Sequence, residues 1–335
     1  MENSFFVFTD KSKSVLLERF HICTWEFNNN SSLVEFGFEI SKESITDDSL
    51  TISLFIPWVE TACEKSDLYD KLSIADNSRF IFNDSISATK YLKTNTDSLG
   101  VIHTFSGRNE LCVLPAEIKV DKDKIVSATL NLKPYREYQQ VEKPNVYFRF
   151  WIKPTVSFIS MRKKGISKST IIYDIKVNER RNIPDNKTKY FDNKAFCKIK
   201  YCFSFNILPN RYDIVFFDNT SLKNVRTLEY ESFNKYLGDR RVKKDELIVV
   251  FNKKQDSESF SFFSIYSTER IGTGQFALAI LINIVCSVLF LSNFPIGIWI
   301  ALGIALATIL YFIWPTVQNA LAKLLDRVLN KKSKK

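Results

Sequence analysis

Along residues 1–270 apolar side chains recur at every second position or in short continuous runs, and seldom at the three-and-four spacing of a helix. The segments SFFVFTD, FHICTWEFN, SLVEFGFEI, LTISLFIPWVE, VSATLNLKP, NVYFRFWIKP, STIIYDIKV, AFCKIKYCFSFNIL, RYDIVFFD, ELIVVFNKK and SFSFFSIYST all read as strands. They are rich in Phe, Ile, Val, Thr and Tyr, and Asn, Asp, Ser or Pro turns separate them. Sandwich-like sheets follow from that spacing. Two stretches predict helices instead: residues 66–88, and residues 221–238, where Val225, Leu228, Phe233 and Leu237 keep a loose helical stripe that ends at Gly238.

Past residue 275 the pattern changes. Residues 276–293 run 18 positions without a charge and residues 296–314 a further 19. At about 1.5 Å per residue, each stretch covers most of a bilayer's roughly 30 Å hydrocarbon core. The competing reading is a helical hairpin buried in a soluble core, but such helices keep a polar stripe, and here, apart from the turn that begins at Ser292 and Asn293, only Asn283, Ser287 and Thr308 interrupt the apolar surface. Arg270 precedes the first stretch, and Lys323, Arg327, Lys331, Lys332, Lys334 and Lys335 follow the second, while the turn between them is uncharged. The positive-inside rule therefore predicts two spans of the inner (plasma) membrane with both termini cytoplasmic; Trp299, Tyr311 and Trp314 stand where aromatic rings favour the headgroup level.

Asn283 and Ser287 share one face of the first predicted span, and Gly297, Ala301, Ala305 and Thr308 form a small-residue stripe on the second. Such stripes let helices approach closely, within one hairpin or between copies. Residues 315–335 predict a basic amphipathic tail helix, with Val317, Leu321, Leu324, Leu325 and Val328 on one face. Both features point to a homo-oligomer embedded in a lipid bilayer, since a single hairpin cannot enclose a pore.

The polar stretch KPYREYQQVEKP divides the β-rich region into residues 1–140 and 141–270, either as two domains or as two halves of one sandwich. The fold expected is mainly β, with a C-terminal helical hairpin at 276–314. The N-terminus holds too short an apolar run for a secretory signal. Six cysteines are scattered, one of them (Cys286) inside a predicted span, so free thiols are expected rather than a disulfide framework. Of the net charge of +10, the part after residue 275 carries +5, which leaves only a mild basic excess for the β-rich region.

Catalytic chemistry finds little material. His21 and His103 each stand alone, no phosphate loop or nucleophile elbow appears, and no metal or cofactor motif is present. Cys197 and Cys202, read as one strand, would point to opposite faces. An enzyme is therefore not expected. The most informative segment is NVYFRFWIKP: alternation places Val146, Phe148, Phe150 and Ile152 on a core face and Tyr147, Arg149, Trp151 and Lys153 on the other. Flat rings alternating with cations are the combination that stacks bases and neutralises phosphates on a sheet surface. Basic turns at Arg162, Lys163 and Lys164 and at Arg240 and Arg241 supply further candidate ligand contacts. The same residues also suit contact with anionic lipid, or an ordinary solvated surface.

The layout of a large β-rich sensor followed by a two-span hairpin and a basic tail resembles the membrane effectors of bacterial antiphage defence. These are the two-span effectors of the cyclic-nucleotide systems CBASS and Pycsar and the channel effector of the Hailong system, which a single-stranded DNA product controls. The resemblance is architectural and carries over no residue. It implies an oligomeric effector or channel gated by a cyclic nucleotide or single-stranded oligonucleotide, acting by depolarising or disrupting the membrane. The alternative is a membrane-tethered binding or adaptor protein with no pore.

Overall fold

The computed structural model describes residues 3–269 apart from 28–31, 95–96, 141, 155–159, 165–167, 219–221, 240 and 245–246, and beyond them residues 279–284, 287 and 303. Strands dominate: β1 (Asn3–Asp10), β2 (Leu16–Glu26), β3 (Ser32–Ile40), β4 (Ser49–Phe55), β5 (Glu64–Asp67), β6 (Ile86–Thr94), β7 (Asp97–Phe105), β8 (Leu111–Val113), β9 (Ala116–Val120) and β10 (Ile125–Asn131). They continue with β11 (Asn145–Lys153), β12 (Met161–Lys164), β13 (Lys168–Val177), β14 (Lys194–Phe196), β15 (Lys198–Pro209), β16 (Asp213–Phe217), β17 (Leu222–Thr227), β18 (Leu247–Gln255) and β19 (Phe260–Glu269). Five short helices interrupt them: α1 (Tyr69–Leu72), α2 (Ala75–Phe82), α3 (Lys133–Glu137), α4 (Thr188–Phe191) and α5 (Tyr230–Leu237).

The strands form two sheets. One runs β16-β19-β13-β1-β4-β10-β9, with β12 on β13 and β14 on β1; the other runs β17-β18-β15-β2-β3-β11-β8-β7-β6, with β5 on β11. Within them the same four-strand course occurs twice. β1 crosses to the other sheet as β2, β2 pairs with β3 antiparallel, and β3 crosses back to β4 beside β1. β13, β15, β18 and β19 repeat that route, and the two courses meet at parallel pairs, β1 with β13 and β2 with β15.

Alternation fills the space between the sheets. Phe5 and Val7 of β1, Phe20 and Ile22 of β2, Phe36 and Phe38 of β3, and Phe148 and Phe150 of β11 all lie in one buried cluster. Phe38 stacks on Phe148 with ring centroids 4.6 Å apart, and Phe36 lies 5.7 Å from Phe150. Burying each ring stabilises the fold by about 1.5–3 kcal/mol, and well-placed pairs add about 0.5–1.5 kcal/mol. A bulge between Leu17 and Arg19 lets both Leu17 and Phe20 face inward although they are three apart. The outer faces are covered as well: Phe6, Phe8, Phe55 and Ile125 pack on Phe191 of α4, and α1, α2 and α5 lie over part of the sheet that holds β2 and β11.

Each of the eleven predicted segments holds a strand, but AFCKIKYCFSFNIL divides into β14 and β15 of different sheets. β5 to β9, β12 and β17 lie outside the predicted strands, and the predicted helices are shorter. Residues 66–88 hold α1 and α2 but end in β6, and Val225 stands on β17, so the second helix begins only at Tyr230. Gly238 caps α5 at φ +66, the left-handed conformation a glycine adopts without strain. The break at 140/141 does not separate domains: β11 lies between β3 and β8, and residues 1–162 with 170–267 form one compact unit. Residues 163–169 with 268–335 form a second. Cys197 and Cys202 do not face opposite ways either. The chain changes sheet between β14 and β15, and both thiols lie in the core between the sheets.

Among the described residues no helix is long and apolar enough to cross a membrane. The predicted spans fall mostly outside the described residues, with Gly297, Ala301, Ala305 and Thr308, and so does the tail at 315–335. Asn283 and Ser287 are described and helical; the Asn283 amide donates to the Ala279 carbonyl at 3.0 Å.

Candidate functional site

Tyr147, Arg149, Trp151 and Lys153 do share one face of β11, opposite the buried Phe148 and Phe150, but that face is not open. Tyr147 is 0% and Arg149 6% exposed, because Leu68, Tyr69 and Leu72 at α1 and Phe233 and Tyr236 of α5 pack over this part of the sheet. The cation is matched inside. Glu35 on β3 accepts from Arg149 Nε at 2.7 Å and Nη2 at 2.5 Å, from Trp25 Nε1 at 2.8 Å and from the Tyr236 hydroxyl at 3.0 Å. Trp151 is half-buried, and Lys153 pairs with Glu64 at 2.9 Å. A base cannot stack on Tyr147 while these helices are in place, which corrects the expectation of an open ring-and-cation face on β11.

The basic turns are also partly engaged. Arg162 contacts the carboxylate of Glu26, which is 1% exposed and also accepts from Ser160 at 2.6 Å and Ser32 at 3.2 Å. Lys163 is exposed, and the backbone of Lys164 belongs to β12. Arg240 lies outside the described residues. Arg241 grips Asp239 through Nε at 2.9 Å and Nη2 at 2.6 Å, with its guanidinium 4.2 Å from the Phe27 ring. Arg162 and Arg241 thus have protein partners of their own.

Beyond the helices the same sheet face is half-exposed, and cross-strand register builds a strip there. Lys253, Phe203, His21 and Gly37 stand in one row across β18, β15, β2 and β3, and Gln255, Tyr201, Arg19 and Glu39 in the next. The Lys253 ammonium lies 4.2 Å from the Tyr201 ring, His21 lies 4.9 Å from Phe203, and Phe205 stacks on Phe251 at 4.8 Å. Arg19 and Arg108 flank Glu39 at 3.4 and 3.1 Å. Burial, then the fields of Arg149, Arg19 and Arg108, hold the His21 imidazole well below its ordinary pKa, so it is neutral at pH 7. Rings beside cations are therefore gathered on β15, β18 and β2 rather than on β11. Alternation in YCFSF and VFNKK is the signal that could have found them.

Gly37 makes the strip's corner possible. A Cβ there would lie 2.3 Å from the Tyr147 hydroxyl and 3.2 Å from His21 Nδ1, which itself meets that hydroxyl at 3.2 Å. Gly37→Ala is expected to destabilise the fold by roughly 1–3 kcal/mol in urea titration. Tyr147→Phe in the same chain should recover part of the loss, and no recovery would refute this account of the clash.

Other chemistry is limited. Burial raises the thiols of Cys23, Cys112 and Cys202 well above their ordinary pKa and pushes Cys197 up to about 12, so these thiols stay protonated at neutral pH. His103 is buried between the Leu72 carbonyl at 2.8 Å and the Thr89 hydroxyl at 2.9 Å, in the setting of a structural histidine. Among the described residues no three His, Cys, Asp or Glu are grouped so as to hold a metal ion. The described chain is thus a mainly β, two-sheet protein with one half-exposed strip of rings and cations. Comparison with protein-family models and with curated proteins returns no match.

Proposed function

We propose that the chain is an oligomeric inner-membrane effector or channel of the antiphage type, whose β-rich unit receives a nucleotide or oligonucleotide ligand and whose C-terminal hairpin acts on the membrane. The observation that carries this reading is the half-exposed strip at Tyr201, Phe251 and Lys253, joined in one chain to two charge-free stretches with positive outer flanks. Stacking surface and cation together suit a ligand with a flat ring and a phosphate. Gating then requires only that the ligand bind the open and closed assemblies with different affinity.

A second reading, the tethered adaptor, draws on the edge strand β16, where Val215 and Phe216 are about half exposed and Phe216 meets the exposed Phe263 at 5.8 Å. An apolar sheet edge of this kind suits a protein partner. Membrane potential in bacterial cells separates the two readings. Depolarisation is expected with the full chain and is expected to vanish when residues 276–314 are exchanged for an unrelated two-span anchor. Equal behaviour of the two chains would favour the adaptor.

A further inference from the structure

Where β18 turns into β19, the chain leaves an open cleft of about 580 Å³ whose lining is cationic and hydroxylic. Three lysines, Lys223, Lys253 and Lys254, and three serines, Ser257, Ser259 and Ser261, are among the residues that line it. The one carboxylate among the described residues of the wall, Glu179, is paired with Arg181. Lys254 is held by Asp218 at 2.8 Å and the Lys253 ammonium stands over the Tyr201 ring at the cleft's rim, which leaves Lys223 as the cation an anion would meet first. Ser257 shapes the turn, its hydroxyl donating to the Ser259 carbonyl at 2.5 Å, and Asp256 takes a left-handed φ of 52.

We propose that this cleft is a binding site for a phosphate-bearing anion. Ammonium groups supply charge-assisted hydrogen bonds, hydroxyls supply neutral donors, and partial enclosure lowers the screening that weakens both in open water. A carboxylate ligand would use the same cations, but it has too few oxygens to engage ammonium groups and serine hydroxyls on several walls at once. The cleft also adjoins the strip through one side chain. Lys253 lines the cleft and stands on the Tyr201 ring, so a ligand with phosphate in the cleft can lay a flat ring against the strip. The assignment deepens the ligand-gated reading and rests on it only for what the binding achieves.

The test is a titration of the full chain in neutral detergent micelles with inorganic tripolyphosphate, with adenosine triphosphate, and with micelles doped with an anionic phospholipid, read as the shift in melting temperature. Stabilisation that saturates with tripolyphosphate and weakens with added salt is expected, because a ligand bound only by the folded state raises its stability. The variant K223Q/K253Q should lose at least roughly tenfold in apparent affinity while melting normally without ligand, since neither lysine is buried. A larger shift with adenosine triphosphate than with tripolyphosphate would assign the neighbouring strip to the ring. A shift with the phospholipid alone would assign the site to lipid headgroups. Absence of any saturable shift, or an equal shift in the variant, would overturn the proposal. Failure of the gating reading shows separately, as phosphate binding without depolarisation.

Discussion

Glu35→Ala is expected to cost about 3–5 kcal/mol of folding stability, because it strands the Arg149 guanidinium beneath the helices with its charge unmatched. The carboxylate, on β3, is the single acceptor on which β2, β11 and α5 converge: Trp25, Arg149 and the Tyr236 hydroxyl all donate to it. Removing it therefore leaves three buried donors without their acceptor, not one. A second substitution tells pairing from packing. In Glu35→Ala/Arg149→Met the buried charge is gone, and most of the loss should return, since apolar replacements of buried ion pairs are often neutral. Urea unfolding of the single and double variants measures the difference. If the double variant is no more stable than Glu35→Ala, the cost lies in the shape of the site rather than in the orphaned charge.

Asp67→Asn is expected to act in the opposite direction and only above mildly acidic pH. Burial pushes the Asp67 carboxyl up to about 7, against the bonds that favour its charged form, the Tyr69 N–H foremost, which donates to Oδ2 at 2.9 Å. Its other oxygen is buried without a hydrogen-bond partner. A carboxyl whose pKa is higher folded than unfolded binds its proton more tightly in the folded state. Stability is thus retained near pH 4, falls as pH rises toward 7, and stays low above it. At roughly 1.4 kcal/mol per unit the loss reaches up to about 4 kcal/mol at pH 8. Asparagine keeps an oxygen for the Tyr69 N–H and has no charge to desolvate. The variant should match the parent near pH 4 and exceed it at pH 8. A stability difference that does not change with pH would show that folding does not raise the Asp67 pKa.

The candidate site was half legible in the sequence. Flat rings and cations do alternate on the outer face of one sheet, as NVYFRFWIKP indicates, but the accessible ones belong to YCFSF and VFNKK. What hid this is that α1 and α5 come from residues 69–72 and 230–237, far along the chain from β11, and their apolar sides give no sign of which strand they will cover. Arg162 misled for a related reason. Among lysines it reads as solvated, yet the carboxylate that holds it, Glu26, is 136 residues away.

The sequence by itself determined where eleven stretches of strand lie and, where no bulge or change of sheet intervenes, which side chains share a face, because a strand's period of two is written in the order of its own residues. It also determined the two charge-free stretches at 276–293 and 296–314, which need no partner to be seen. Only the tertiary structure decided that residues 1–162 and 170–267 fuse into shared sheets, and that Arg149 is an internal ion-pair partner. It alone decided that Tyr201, Phe251 and Lys253 are the rings and cation left half open. Parallel pairing of β1 with β13 and β2 with β15, and helices laid over one part of a face, join segments more than a hundred residues apart. A local pattern tells the two faces of a strand apart, but contacts between distant segments settle what lies over each.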